Sequence, residues 1–515
     1  MSSPKDTERH EEHHHLSLIR DGRDPTLPSN HPINALSSTR KLAILCVLTY
    51  AGFLANFSVA IIQVAFPNIG GAFGVSPAKI PNTIGYNLLG FAVGPFFGIH
   101  SPGWTVGRRT VYLIGSTLFI PCAVWMALSP SYGVFCAARV VAGFISSWSQ
   151  TVPPSTIADI FVKEVRGSKM SMFAVGVVIA PPVAPIFCGL VVTYHTWPVL
   201  FWIVTGMAGL QLALFFLVVP ETLWVEDESP LHVESLPPTS THSGSNIEGE
   251  VETKAHGQHV EHSFRGTSAI KSGHTGIAWY PWQRPGEFLK IFVSPITMLR
   301  FISITVPSIY YGSVFAWSVG ITIVFPQKFE AAPYSIKTIP LGAMFLAFGV
   351  GGLLGKWSGG IVGDKTVSYF ERRKGYRQPE HRLWALIPIL PFMFVGCILC
   401  GVTVDHKLPY MVYLFGGALF FFCLSAATGL LQTYVLEGYI SKSMDTQAVF
   451  VFWKSIWGFA VAFFVYDWGL NSSFTKEYAT QGTLATGVGA IICAVFIAKG
   501  YEIRKWQGMP VTPKD

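Results

Sequence analysis

The chain alternates long apolar runs with short polar breaks. Twelve runs lie near 42–64, 80–100, 110–129, 133–157, 170–193, 198–219, 300–325, 338–363, 383–404, 409–436, 446–468 and 481–499. Each is long enough to cross a hydrocarbon core of ~30 Å, for which about 20 apolar residues suffice. The pattern predicts an all-α membrane protein of twelve transmembrane helices in two six-helix bundles. One long polar stretch, about 225–276, separates the sixth run from the seventh. It contains SPLHVESLPPTSTHSGSNIEGEVETKAHGQH and has too few apolar residues to pay the entropy of folding. The expected organisation is therefore a tail over 1–41, a first bundle over 42–219, a largely disordered linker over 220–298, a second bundle over 299–499 and a tail over 500–515. FLKIFV at 288–293 is a candidate for a short piece lying along the membrane surface.

Composition supports the class. Half of the 515 residues are hydrophobic and 13% are charged, and mean hydropathy is +0.43. The first forty residues are polar, which argues against a cleavable signal peptide and for a permanent first helix. Orientation follows the bias of Lys and Arg toward cytoplasmic loops. With a cytosolic N-terminus, the inner side collects Arg40, Lys41, Arg108, Arg109, Lys163, Arg166, Lys169, the cluster from Lys365 to Arg382, Lys442, Lys499, Arg504 and Lys505. The outer side keeps Lys79, Lys328, Lys337, Lys407 and Lys476. Both termini are expected in the cytosol, with the plasma membrane as the expected location. The net charge of +7 is bunched at span ends and implies no nucleic-acid partner. All eight cysteines fall inside predicted spans, so neither a disulfide framework nor a zinc site is expected. His13, His14 and His15 belong to a charged tail and read as solvated sequence before they read as a metal site. No cofactor or metal is expected.

The fifth run holds GVVIAPPVAPIFCG, with Pro181, Pro182 and Pro185 between Gly176 and Gly189. A proline inside an ordinary helix costs roughly 3 kcal/mol, but neighbours in a membrane bundle re-satisfy the freed backbone groups. Glycines let another helix approach closely. Span eight offers Gly349, Gly351, Gly352, Gly355, Gly359 and Gly360 as a partner surface. The reading is a tight contact of spans five and eight about which two halves rock; the alternative is a proline-bent helix with no special role. The halves also echo each other. GPFFGIHSPGWTVGRR follows span two and GGLLGKWSGGIVGDKTVSYFERRKG follows span eight, each a glycine-rich helix end before a basic turn. Transporter folds are built on such internal repeats.

These segments resemble the major facilitator superfamily, in particular its twelve-span fungal drug:proton-antiporter branch. The resemblance rests on GRR (107–109) followed by VYLIG, on ARVVAGF with Arg139 and Gly143, on ADIFVKEVRGSKM with Asp159, Arg166 and Gly167, and on the fifth-span proline motif. PET (220–222), PEHRLW (379–384) and TYVLEGY (433–439) extend it. It implies secondary transport by alternating access, with protons as the coupling ion. Two positions depart from the family pattern. Trp104 stands where an acidic residue normally precedes GRR, and Ala180 where a glycine is usual. Asp364 holds the equivalent place in the second half.

Candidate pathway residues are those whose polarity is expensive in lipid. Arg139, inside span four, is read as a coupling or substrate-contact residue, or else as a structural donor to neighbouring carbonyls. Lys454, inside span eleven with Trp453 and Trp457 nearby, either meets Glu437 in a buried pair or snorkels to the interface. Tyr310, Tyr311, Ser313 and Trp317 in span seven, Gln432 in span ten, and Asn56 and Gln63 near span one are candidate cavity-lining side chains. Arg108, Arg109, Asp159, Glu164, Arg166 and Asp364 read as gate-side ion pairs. Asn471 opens an Asn-Ser-Ser acceptor pattern on the outer side, a candidate glycosylation site.

The expected activity is proton-coupled efflux of a small organic compound by a monomer in the bilayer. The alternative is import of a small polar or cationic nutrient such as a polyamine. VGGLLGKW (350–357) lacks the first glycine and the Ser/Thr of a phosphate loop, and no metalloprotease, nucleophile-elbow or paired-carboxylate signature occurs. An ATP-driven pump or an enzyme is therefore not expected.

Overall fold

The structure, a computed structural model, describes residues 32–96, 107–222, 224–225, 267–268, 293–376, 378–439 and 442–508. The first half comprises α1 (Ser38–Ala60), α2 (Asn82–Val93), α3 (Arg108–Ala127), α4 in two pieces (Tyr132–Ser146 and Trp148–Ile160), α5 (Lys163–Tyr194) and α6 (Pro198–Val218). The second comprises α7 (Ile302–Phe329), α8 in two pieces (Thr338–Met344 and Leu346–Lys374), α9 (Leu390–Asp405), α10 (Tyr410–Gly438), α11 (Ser443–Asn471) and α12 (Phe474–Gln507). Among the described residues, ten helical segments are long and apolar enough to cross a membrane. The other two spans are α2 and the broken α4. The twelve helices form two similar six-helix bundles, as the apolar pattern predicts.

Helix ends lie where caps put them, not where apolarity stops. The Ser37 hydroxyl accepts from the Arg40 amide at 3.4 Å to open α1, and the Ser131 hydroxyl accepts from Val134 at 3.5 Å to open α4. Such side chains satisfy amides that have no intrahelical partner. At the other end, α8 runs on past its apolar stretch to Gly375, whose φ of +77° closes the helix in the left-handed conformation. α5 is continuous through Pro181, Pro182 and Pro185, and both Pro182 and Pro185 are buried.

Because the helices alternate in direction, the start of α1 and the end of α12 share one face of the bundle, called here the near face. In the segment between the halves, Trp224–Val225 pairs antiparallel with Thr267–Ser268. His13 to His15, Trp104, most of the 220–298 linker and all but the last residue of FLKIFV lie outside the described residues.

Candidate substrate pathway between the halves

Two seams join the halves, and they are equivalent under the internal repeat. In the first, α5 crosses α8. A Cβ on Gly189 would stand 2.7 Å from the Thr338 carbonyl, one on Gly349 2.8 Å from Pro182, and one on Gly352 3.0 Å from Val178; a Cβ on Gly342 would collide with the Pro185 carbonyl. In the second, α2 crosses α11. A Cβ on Gly85 would stand 3.0 Å from Ala462 and one on Gly458 2.8 Å from Leu88, while the Tyr86 and Phe463 rings meet edge-on at 5.2 Å.

The glycine surface of span eight is divided, contrary to expectation. Gly349 and Gly352 face α5, but Gly351, Gly355 and Gly359 meet Ala418, Phe422 and Ala426 of α10, and Gly360 faces open space. Three- and four-residue spacings put these glycines on two sides of one helix. Gly176 likewise packs on Thr49 of α1 inside its own half.

The near-face charges tie helices within each half. In the first half Arg108 pairs with Asp159, linking the start of α3 to the end of α4. The Glu221 carboxylate accepts from the amides of Arg108 at 3.0 Å and Arg109 at 3.1 Å, linking α3 to the chain beyond α6. Gly107, at φ +96°, leaves room for that carboxylate. Arg109 also donates to the Phe216 carbonyl at 3.0 Å. In the second half Arg382 donates to Glu437 and Asp364, each at 2.9 Å, and Arg504 donates to Glu380 at 2.8 and 2.9 Å. Start of α3 with end of α4 and α6 is thus repeated as the 3-10 turn that leads into α9 (Pro379–Ala385) with the ends of α10 and α12. Among the charges read as gate-side pairs, Arg108 and Asp159 pair with each other and Asp364 with Arg382, each within one half. Arg166 is half-buried, and its Nε has no hydrogen-bond partner among the described residues.

Glu437 consequently has Arg382 for a partner, not Lys454. Lys454 stands eleven residues into α11, about 16 Å from its start at helical rise, and too deep to meet a side chain at the end of α10. Its Nζ lies 4.9 Å from the centre of the Phe315 ring, within cation–π range. Phe315 continues a wall on α7. Tyr311, one turn away, stacks on Phe450 of α11 at 4.5 Å, and its hydroxyl faces Thr428 of α10. Gly312 admits Trp457, whose Cδ1 would be 2.9 Å from a Cβ there. The Trp457 indole N–H has no hydrogen-bond partner among the described residues, nor have those of Trp317 and Trp453. Nearer the near face, Gln432 donates to the side-chain amide oxygen of Gln447 at 3.0 Å. Gln447 in turn donates across the halves to the Gln150 backbone carbonyl at 3.4 Å.

Other candidates fall away from this wall. Tyr310 is buried inside the second half and donates to the Ala485 carbonyl of α12 at 2.8 Å; it is core, because one residue of helical turn moves it off the face that Tyr311 occupies. The Ser313 hydroxyl returns to the Tyr310 carbonyl of its own helix, and Asn56 returns to Gly52 at 2.7 Å. Gln63 is buried just beyond α1. Arg139 is fully buried and donates to the carbonyls of Ser58 at 2.7 Å, Val59 at 2.8 Å and Thr83 at 3.3 Å. Ser58 and Val59 belong to the last turn of α1, whose carbonyls have no intrahelical donor. Arg139 makes the bonds of the structural alternative. Asn471 is exposed at the far end of α11.

Lys356 is marked weakly by the sequence. Its only signal was a lysine in the otherwise apolar run GGLLGKWSGG. It is half-buried on α8, and its Nζ would be 3.8 Å from a Cβ on Gly429 of α10.

Two six-helix halves, joined along two repeated seams and enclosing a polar, aromatic wall, have the architecture of a membrane transporter. The chain belongs to the Major Facilitator Superfamily, whose family model matches residues 48–465. It is 24% identical over 437 residues to the MFS-type transporter penM of Penicillium rubens, covering 84% of this chain and 79% of that one. It is 21% identical to the MFS antiporter QDR3 of Candida albicans, over 78% of this chain and 70% of that one. It is 24% identical to the multidrug transporter AQR1 of Candida glabrata, over 82% and 70%. Among solved structures, the xylose transporter XylE of E. coli in a partially occluded inward-open conformation shares the fold. The TM-score is 0.58 at 18% identity, covering 93% of this chain and all of that one.

Proposed function

We propose that the protein expels a small organic compound by alternating access, in exchange for protons, as a monomer in the plasma membrane with both termini in the cytosol. The observation that carries this reading is the pair of seams. α5 on α8 and α2 on α11 hold the halves together along two lines, and straps within each half let it move as a body. The resemblance to fungal antiporters and multidrug transporters supports export, and the excess of Lys and Arg on the near face supports its placement in the cytosol. Asn471, on the opposite face, is then open to glycosylation.

The test is transport by purified protein in proteoliposomes with an imposed pH gradient. Gradient-dependent movement of an organic compound, abolished by a protonophore, is the expected result. Uptake driven toward the near face would reverse the direction, and ATP-dependent movement would overturn the reading.

A further inference from the structure

Lys356 and Lys454 occupy matching places beside the two seams. Gly352 of α8 touches Val178 of the other half, and Lys356 follows it by four residues. Gly458 of α11 touches Leu88 of the other half, and Lys454 precedes it by four. Since α8 and α11 run in opposite directions, both lysines project from the seam-facing side of their helix, one turn nearer the near face. Lys356 approaches Gly429 of α10, and Lys454 approaches Phe315 of α7. A chain of neighbours joins the two through Tyr311, which faces Thr428, the neighbour of Gly429 at Lys356, and stands one turn from Phe315 at Lys454.

Neither lysine has a carboxylate partner among the described residues. Every Asp and Glu of the described spans stands in the first or last two turns of its helix, or on the near-face extension of α8. In mid-span the charged side chains are Arg139, already committed to three carbonyls, and these two lysines. An ionisable group at such depth needs an opposite charge or water. The unpartnered indole N–H of Trp457 adds a further donor to the same wall.

We infer that the compound carried is an organic anion with an apolar or aromatic body, its acidic group held between Lys356 and Lys454 and its body against Tyr311, Phe315 and Trp457. A cationic or polyamine cargo would meet two like charges and no counter-charge. This inference rests on the transport reading and narrows it.

The test uses three probes with one fluorophore and different charge: dansylglycine (anionic), dansylamide (neutral) and dansylcadaverine (cationic). Binding to the full chain in nanodiscs is read by energy transfer from tryptophan, and movement by the proteoliposome assay. Dansylglycine is expected to bind most tightly. Lys356→Gln and Lys454→Gln are each expected to weaken it at least tenfold while leaving dansylamide within twofold. Lys356→Arg and Lys454→Arg, which keep the charge, are expected to retain it, and thermal unfolding checks that all four variants fold. Preference for dansylcadaverine, binding of none of the three, or unchanged dansylglycine binding in both Gln variants would overturn the inference. Gradient-driven movement of the neutral or cationic probe alone would overturn it and leave the transport reading standing. Tight dansylglycine binding without movement of any probe would count against transport itself.

Discussion

Gly342 of α8 lies directly against the Pro185 carbonyl of α5, with no room for a side chain between them. A methyl at this point forces the two helices apart at the far end of their seam. Gly342→Ala is expected to cost about 1–3 kcal/mol, the usual range for overpacking, and to lower the turnover of the protein that still folds. Gly360→Ala, on the same helix but facing open space, is expected to change neither. Thermal unfolding and proteoliposome flux of the two variants side by side make the comparison.

Arg382 bridges Asp364 and Glu437, and its own side chain is 6% exposed against 74% and 28% for its partners. Arg382→Leu strands two carboxylates, but water screens the exposed one well. The expected loss is therefore about 1–3 kcal/mol, below the full range for breaking a buried pair. A double-mutant cycle of Arg382→Leu with Glu437→Gln on unfolding free energy checks it. Coupling near zero would mean that the strap does not hold the turn before α9 to the end of α10.

Arg139 closes the end of α1 with donors to Ser58 and Val59. Arg139→Leu removes three bonds to a charged donor and is expected to cost about 2–4 kcal/mol. Arg139→Lys, which keeps the charge but not the planar fork, is expected to fall between. Unfolding midpoints in detergent, measured for both, give the order; equal midpoints for all three proteins would contradict the capping role.

Much of this was legible in the chain. Apolar run length located the spans, and Pro182, Pro185 and Gly189 announced the α5–α8 seam because three prolines in one helix demand a reason. The α2–α11 seam left no such mark. Gly85 and Gly458 are single glycines in apolar runs, and only the fold brings Leu88 and Ala462 to them. The partners within the straps are hidden for a related reason. Charge and span-end position identified Arg108, Asp159, Asp364 and Glu437, but a partner is a matter of which helix lies alongside. Glu221 and Arg382 supply those partners from distant segments. Lys356 carries no such mark, because a lysine within a glycine-rich run has the look of a failed nucleotide loop and its depth is set by the fold.

We propose that the halves part on the near face, where Gln447 of α11 donates to the Gln150 carbonyl of α4 at 3.4 Å. The direct measurement is flux after linking Gln150→Cys to Gln447→Cys with a short thiol-specific bridge, in a protein whose native cysteines have been replaced. Cross-linking is expected to stop transport, and cleavage of the bridge to restore it. Full flux with the bridge intact would contradict the account.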